Sequence, residues 1–238
     1  DSASIGLGQF AHMVRRGVNM TYIVENNGVY GLTKGQFSAT ADRGSKSKRG
    51  VVNRDSAIDL VSLAIQLGIT YVARSFSGDK DQLVPLIKGA LHHRGTALID
   101  VISPCVAFNN HTGSTKSYDY VREHNDAVNR LDFMPKRGTL TAEYEPGEVI
   151  EVTQHDGSQL RLRKLHDGYD PGDRLAALGH IHNHHDRGEI VTGLLYIDPD
   201  SDDLHASLNT VEMPLNRLVE ADLCPGSAVL AALNSELS

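Results

Sequence analysis

Cysteines are scarce and long apolar runs are absent, which limits the classes of protein that this sequence can encode. The 238 residues include only two cysteines, Cys105 and Cys224, too few for a disulfide framework. A reducing, cytoplasmic environment is therefore expected. No stretch approaches the roughly 18 consecutive apolar residues of a transmembrane helix, so we expect no membrane association. The net charge of −7 argues against a nucleic-acid partner.

The composition is that of a globular protein, with 40% hydrophobic and 22% charged residues. Apolar periodicity predicts helices at residues 5–16, 55–67, 80–93 and 118–131 and strands at residues 18–25, 69–73 and 96–103. Asn53 and Asp55 are the candidate N-caps of the second helix. The continuous apolar run at residues 96–103 is typical of a strand covered on both faces. The alternation predicts an α/β fold with a mainly parallel sheet.

The sequence pattern changes after Pro135 and Gly138, where short alternating segments begin. Residues 149–152 and 160–162 alternate around Asp156-Gly157, which predicts a β-hairpin. A helix at residues 170–187 and a strand at residues 190–197 follow, and then an acidic loop and a tail. We therefore predict an α/β domain at residues 1–135 and a C-terminal extension with the hairpin at residues 136–238, an appendage on the α/β body.

The segment 26–36, Asn-Asn-Gly-Val-Tyr-Gly-Leu-Thr-Lys-Gly-Gln, begins where the first strand should end. Ligands bind outside the carboxyl ends of strands in open α/β sheets. The Asn26-Asn27 amides offer the oxygen ligands that magnesium prefers, while the small residues and the hydroxyl of Thr33 suit a phosphate. An Asn-Gly turn leading into a surface loop explains the same residues. The residues alone leave both interpretations open.

Two sequence motifs resemble those of a known family. The segment 26–36 and the segment 102–109, Ile-Ser-Pro-Cys-Val-Ala-Phe-Asn, are similar to the β subunit of 2-oxoacid:ferredoxin oxidoreductases, and in particular to the 2-oxoglutarate type. The first motif resembles the Asn-Asn half of a thiamine-diphosphate signature. The likeness runs from residue 1 to about residue 135. It implies a thiamine-diphosphate-binding fold with a mainly parallel sheet.

The resemblance also implies cofactor roles for residues after the first strand. The side chain of Asn27 and the main-chain carbonyl of Val29 match the magnesium ligands of the family. Gly31, Leu32 and Thr33 match the residues that hold thiamine diphosphate.

Two further residues match positions with different roles. Cys105 matches the fourth thiolate ligand of a 4Fe–4S cluster, and thiolates are the usual cluster ligands. Lys34 stands where relatives acting on pyruvate tend to carry glycine, so we expect it to bind the second carboxylate of a larger 2-oxoacid.

By resemblance, the chain is a catalytic subunit for oxidative decarboxylation of a 2-oxoacid, most specifically 2-oxoglutarate to succinyl-CoA. Coenzyme A would accept the acyl group, and electrons would pass through the 4Fe–4S cluster to ferredoxin. The expected partner is an α subunit in a dimer of heterodimers, which would also supply the glutamate that activates the cofactor.

The Gly-Asp-Gly half of the thiamine-diphosphate signature is absent from the sequence. The chain opens with Asp1-Ser2, where the family continues after that motif. We therefore expect the chain to be a fragment whose missing upstream part holds the magnesium-binding aspartate and three cluster cysteines.

Two other functions fit parts of the sequence. A non-oxidative thiamine-diphosphate decarboxylase or synthase would need no cluster and no Cys105. A non-catalytic α/β binding module would use the Asn pair only as a turn.

The histidines at positions 180, 182, 184 and 185 suggest a metal site, but no Glu follows the first of them in a His-Glu-x-x-His arrangement. A solvated helix end is the preferred interpretation. Cys224 matches no motif and is predicted to be a packing residue.

Overall fold

The computed structural model describes residues 2–28, 30, 37–41, 43–44, 52–103, 143–153, 159–224 and 226–237. The chain divides into two compact units, Asp1–Leu204 and His205–Ser238. The predicted boundary near residue 135 and the predicted helix at residues 118–131 lie outside the described residues, and both stay predictions.

Strands and helices alternate in the first unit as the sequence predicts. Its described elements are α1 (Leu7–Arg15), β1 (Met20–Asn26), α2 (Leu60–Leu67), β2 (Tyr71–Phe76), α3 (Lys80–His92), β3 (Thr96–Ile102), β4 (Val149–Thr153), β5 (Gln159–Lys164), α4 (Arg174–His185) and β6 (Ile190–Ile197), and the short helix α5 (Leu204–Ser207) follows at the border of the two units.

One six-stranded sheet in the order β1-β3-β2-β6-β5-β4 organises this unit. Strand β3 pairs in parallel with both β1 and β2, and β5 pairs in parallel with β6. The β2–β6 and β4–β5 pairings are antiparallel. The predicted α/β fold with a mainly parallel sheet is confirmed. The carboxyl ends of β1, β3 and β2 meet at one edge, which we call the strand-end edge.

Helices cover both faces of the sheet. On one face, α1, α2 and α4 pack on apolar side chains that include Val72, Leu98 and Leu195. On the other face, α3 packs on a second set that includes Ala73, Ala97 and Ile99. Every residue from 96 to 101 is buried, as expected for a strand covered on both faces.

Helix α2 begins later than the sequence predicts. Its N-cap is Asp59, whose side chain accepts a hydrogen bond from the main-chain N–H of Val61 at 3.2 Å. The predicted caps Asn53 and Asp55 are wrong because Asn53 is engaged in a local turn. Its amide donates to the carbonyl of Ala41 at 2.9 Å and accepts from the N–H of Asp55 at 3.2 Å.

The predicted hairpin is confirmed as β4 and β5, with Ile150 opposite Leu162. The hairpin extends the main sheet, because β5 pairs with β6 and β6 pairs with β2. A buried cluster of Phe76, Tyr144, Val152 and Leu162 seals this junction. The strands after residue 135 therefore belong to the same sheet as β1, which leads into the segment 26–36.

An ion pair ties β5 to the start of β6. The guanidinium of Arg163 donates to the buried carboxylate of Glu189 through Nε at 2.5 Å and Nη2 at 3.3 Å. His184 of α4 donates to the same carboxylate from Nδ1 at 2.7 Å. The hydrogen bonds from Arg163 hold the pKa of Glu189 at about 2, below its ordinary value of 4.5.

We expect Glu189→Gln to weaken the acid sensitivity of folding. Because the folded-state pKa of Glu189 is depressed, its stabilising contribution is complete above about pH 4.5 and is lost as the pH falls toward about 2. The melting temperature of the native protein should therefore fall more across that window than that of the variant. Thermal melts at closely spaced pH values measure the difference.

Glu151→Gln is the matched control, since its carboxylate is 66% exposed and lies 3.7 Å from Arg161. Solvent screens such a pair, so this variant should follow the native acid profile. A Glu189→Gln profile that matched the native one as closely would contradict the assignment.

The second unit contains a 3₁₀ turn (Leu215–Arg217), α6 (Glu220–Leu223) and α7 (Ser227–Glu236). Cys224 follows α6 and is exposed. The prediction that Cys224 packs in an interior is therefore wrong. None of the described residues between 205 and 237 is buried, so within this unit there is no interior for the thiol to enter.

Candidate functional site

The Asn26-Asn27-Gly28 turn leaves the sheet at the strand-end edge. Asn26 is the last residue of β1 and pairs in register with Ile102 of β3. Gly28 then adopts a left-handed conformation with φ of 67°, which turns the chain sharply. The sequence prediction that this segment begins at the end of a strand is confirmed.

The two asparagines have different surroundings. Asn26 is half-buried, and its Oδ1 accepts from the hydroxyl of Thr40 at 2.8 Å and from the N–H of Gly28 at 3.4 Å. Asn27 is exposed. The amide of Asn26 therefore holds the turn to its surroundings, while Asn27 is the one on the solvent side.

The loop segment that contains Ser38 and Ala39 lies beside the turn and is hydrogen-bonded to it through the main chain. The N–H of Ser38 donates to the carbonyl of Gly28 at 3.1 Å. The carbonyl of Ala39 accepts from the N–H of Ile58 at 2.7 Å, just before the N-cap of α2. Ser38 and Ala39 therefore connect the turn to the start of α2 through main-chain hydrogen bonds.

The other predicted site residues lie outside the described part of the chain. These are Val29 for magnesium, Gly31, Leu32 and Thr33 for thiamine diphosphate, Lys34 for substrate and Cys105 for the cluster. Of the predicted site, the structure places only Asn27. It also places Ser103, two residues before Cys105, whose N–H donates to the carbonyl of Asn26 at 2.9 Å. The segment that leads to Cys105 therefore starts beside the Asn pair.

Beneath the turn lies a buried group of charges. Arg74 of β2 donates from Nε to Oδ2 of Asp100 on β3 at 2.9 Å, and its Nη2 forms a close ion pair with the N-cap Asp59. The side chain of Asp100 is fully buried and that of Arg74 is 10% exposed. Asp100 also interacts with the side chain of Asn26. Charges are rarely buried this deeply unless they are paired.

The pKa shifts follow from burial opposed by pairing. Burial alone would lower the pKa of Arg74 and raise that of Asp59, but their attraction reverses both, so the pKa of Arg74 is raised and that of Asp59 is lowered. Complete burial raises the pKa of Asp100 although Arg74 counteracts it. The pKa shifts of Arg74 and Asp59 therefore favour the charged forms of both groups, whereas the shift of Asp100 disfavours its charged form.

Sequence reasoning missed these charges. The strand β2 is predicted to end at residue 73, but it continues through Arg74 and Ser75 to Phe76, and all six of its residues are buried. The signal was one aspartate, Asp100, within an otherwise apolar strand, because a buried carboxylate requires a cationic partner on a neighbouring strand.

The histidine cluster lies on α4 and is divided between solvent and interior. His182 and His185 are exposed, which agrees with the predicted solvated helix end. His180 and His184 are half-buried, with ring centroids 4.4 Å apart, and His184 is bonded to Glu189. Within the described ranges, no group of three or more His, Cys, Asp or Glu residues is arranged to hold a metal ion.

A groove of about 1070 Å³ opens on another part of the molecule, between α3 and residues 199–202. Its lining mixes the basic residues His92, Arg94 and Lys164 with acidic ones such as Asp81 and Asp202. None of the Asn26–Gly28 turn contributes to it. With balanced charges and no link to the strand-end edge, the groove does not select a ligand class, and the strand-end edge remains the candidate site.

The chemistry at the strand-end edge fits a magnesium–diphosphate group. Asn27 presents an amide at the solvent side, and neutral amide oxygens are among the ligands of hard divalent cations. The position is where α/β sheets bind ligands. None of the helices in the described ranges is long and apolar enough to cross a lipid bilayer.

Comparison with known proteins relates the chain to thiamine-dependent enzymes. The family described as thiamine pyrophosphate enzyme, C-terminal TPP binding domain, matches residues 1–101. A 2-oxoacid:ferredoxin oxidoreductase β subunit from Sulfolobus sp is 42% identical over 176 residues, which are 74% of this chain and 52% of that protein. The corresponding subunit from Saccharolobus solfataricus is 47% identical over 46% of this chain and 36% of its own length.

A solved structure also resembles this chain. A 2-oxoglutarate:ferredoxin oxidoreductase from Magnetococcus marinus, with 2-oxoglutarate, coenzyme A and succinyl-CoA bound, superposes with a TM-score of 0.62 at 26% identity. The match covers 96% of this chain and 63% of that one. The chain spans 52% of the length of the Sulfolobus relative and 36% of the Saccharolobus one, so it corresponds to part of such a subunit.

Proposed function

We propose that this chain, which is 42–47% identical to 2-oxoacid:ferredoxin oxidoreductase β subunits over the matched residues, forms part of the thiamine-diphosphate site of such an enzyme. The observation that carries the proposal is the Asn26-Asn27-Gly28 turn at the carboxyl end of β1. It places one amide toward the sheet interior and one toward solvent, inside the segment that matches the thiamine-binding family.

The residues of this chain would divide the binding of the cofactor between them. Asn27 through its side chain and Val29 through its carbonyl would ligate Mg²⁺. Gly31, Leu32 and Thr33 would hold the diphosphate with main-chain N–H groups and one hydroxyl. Thiamine diphosphate, when bound, supplies the carbanion chemistry that decarboxylates a 2-oxoacid.

The remaining roles concern substrate and electrons. Lys34 would bind the distal carboxylate of the substrate, which we propose to be 2-oxoglutarate. Cys105 would be a thiolate ligand of a 4Fe–4S cluster. The hydrogen bond from the N–H of Ser103, two residues before Cys105, to the carbonyl of Asn26 at 2.9 Å supports a cluster near the Asn pair. A cluster near the cofactor suits transfer of single electrons to ferredoxin, with coenzyme A accepting the acyl group.

The proposed assembly follows from the kind of relative matched. The printed names of the relatives are those of β subunits, and the chain would accordingly bind an α subunit. We propose a dimer of such heterodimers. Similarity to these β subunits favours an oxidoreductase over a non-oxidative thiamine enzyme, and the oxidoreductase also gives Cys105 a role.

Asn27→Ala tests the proposal at its centre. Removing one inner oxygen ligand should weaken Mg²⁺ and thiamine diphosphate binding together, because the diphosphate is held through the cation. Since loss of an outer partner of a metal already costs about 10–100-fold in affinity, a direct ligand should cost at least about tenfold. Calorimetric titration of the assembled enzyme measures this.

Asn183→Ala, at an exposed asparagine of α4, is the control and should titrate like the native protein. An Asn27→Ala enzyme with native affinity for Mg²⁺ and thiamine diphosphate would refute the metal assignment.

A further inference from the structure

The Asn26–Gly28 turn is closed into a ring of polar contacts that no part of the proposed cofactor chemistry requires. In the turn, Oδ1 of Asn26 accepts a hydrogen bond from the hydroxyl of Thr40 at 2.8 Å. The carbonyl of Ala39, the residue before Thr40, accepts from the N–H of Ile58 at 2.7 Å, and Ile58 directly precedes Asp59. Asp59 pairs with Arg74.

Arg74 closes the ring by returning to the turn. It donates to Asp100 at 2.9 Å, and the Asp100 carboxylate interacts with the Asn26 side chain. Oδ1 of Asp100 is buried and has no hydrogen-bond partner among the described residues, so the contact with Asn26 is looser than the other contacts of the ring. Three strands, one loop and one helix end are thereby joined around Asn26.

The register of the sheet explains why these side chains meet. Val24 pairs with Asp100 and Asp100 pairs with Arg74, so Asp100 and Arg74 point to the same face of the sheet. Asn26, two residues after Val24, points to that face as well. The same face is covered by α2, whose N-terminus supplies Asp59.

Burying the charges of the ring costs desolvation free energy, and stability of the fold alone does not require them. A well-packed apolar group at the positions of a buried ion pair often gives equal or greater stability. The same buried charges, however, fix orientation, since each hydrogen bond accepts only a narrow range of geometry. Fixed orientation is what a ligand on the adjacent residue would need.

We propose that the ring of Asn26, Thr40, Asp59, Arg74 and Asp100 is a positioning device, which fixes the main chain of the turn so that Asn27 is presented to the cofactor cation. The inference rests on the proposed function, because it concerns the binding of Mg²⁺ and thiamine diphosphate. None of the five residues needs to touch the cofactor. Their effect passes through the position of Asn27.

Thr40→Val tests the ring with a nearly isosteric change that removes only the hydroxyl. The hydroxyl bonds to Asn26 at 2.8 Å and to the hydroxyl of Ser38 at 3.0 Å. Loss of the neutral hydrogen bond to Asn26 should weaken binding of Mg²⁺ and thiamine diphosphate by about two- to tenfold. The kcat at saturating cofactor should stay native, because the loaded site is unchanged. Amide hydrogen exchange at residues 26–28 and at Ser38 should become faster, since the Ser38–Gly28 bond is part of the same contact.

Ser75→Ala is the matched control. Ser75 is fully buried on the same strand as Arg74, and its hydroxyl donates to Gln82 at 2.9 Å on the opposite face of the sheet. Ser75→Ala loses one buried hydrogen bond, so it measures the general cost of such a loss. Its cofactor affinity and the exchange at residues 26–28 should be native. Thr40→Ser retains the hydroxyl and should restore both quantities toward native.

A double-mutant cycle separates positioning from general stability. If the ring acts through Asn27, adding Thr40→Val to Asn27→Ala should cause no further loss of cofactor affinity. Additive losses would overturn the inference, as would native cofactor affinity in Thr40→Val. If Asn27→Ala itself binds natively, the proposed metal role fails, and unchanged exchange at residues 26–28 in Thr40→Val would then overturn the ring as well, whereas faster exchange would support it.

Discussion

Cys105→Ser is expected to abolish ferredoxin reduction while thiamine diphosphate still binds. The proposed 4Fe–4S cluster would lose one of its four thiolates, and a hard hydroxyl is a poor ligand for cluster iron. The proposed cofactor residues at positions 27–33 are untouched by this change. Anaerobically purified enzyme should therefore keep its affinity for Mg²⁺ and thiamine diphosphate and lose turnover with ferredoxin or viologen.

Two measurements make this prediction specific. Iron content and the visible absorption of the cluster should fall together with the turnover. Cys224→Ser is the matched control, because Cys224 is an exposed cysteine in the second unit and should leave iron and turnover native. A Cys105→Ser enzyme with full iron content and native turnover would exclude the ligand role.

Lys34→Ala is expected to reduce kcat/KM for 2-oxoglutarate about ten- to a hundredfold more than kcat/KM for pyruvate. A charge-assisted hydrogen bond to a desolvated carboxylate is worth about 1.5–3 kcal/mol, and 1.4 kcal/mol corresponds to a factor of ten. Pyruvate has no second carboxylate and cannot lose this contact. The flexible ammonium of lysine is suited to reach such a group.

The pattern across two substrates identifies what Lys34 binds. Equal losses on both would assign Lys34 to the diphosphate, and no loss on either would make it a residue without a role in the reaction. Lys88→Ala, at an exposed lysine of α3, is the control and should leave both substrates unaffected.

Local patterns were sufficient where one short segment decides its own structure. The alternation around Asp156-Gly157 identified the β4–β5 hairpin, and the apolar run ending at Ile197 gave β6 from Ile190 to Ile197. The start of α2 was misplaced because three polar residues before it, Asn53, Asp55 and Asp59, are all good caps by type. Only the chain fold shows that Asn53 is engaged with Ala41, leaving Asp59 to cap the helix.

The sequence by itself determined the α/β class, the resemblance to 2-oxoacid:ferredoxin oxidoreductase β subunits and the segment that follows β1, because each depends on residue order within a short stretch. It did not distinguish Asn26 from Asn27 by surroundings, nor did it connect Arg74 with Asp100 and Asp59. These depend on parallel pairing, which brings residues 26 apart on the chain opposite one another in neighbouring strands. Separations of that kind leave no periodic trace in the sequence. Only the tertiary structure could show that the amide of Asn26 belongs to a buried polar ring while Asn27 is on the solvent side.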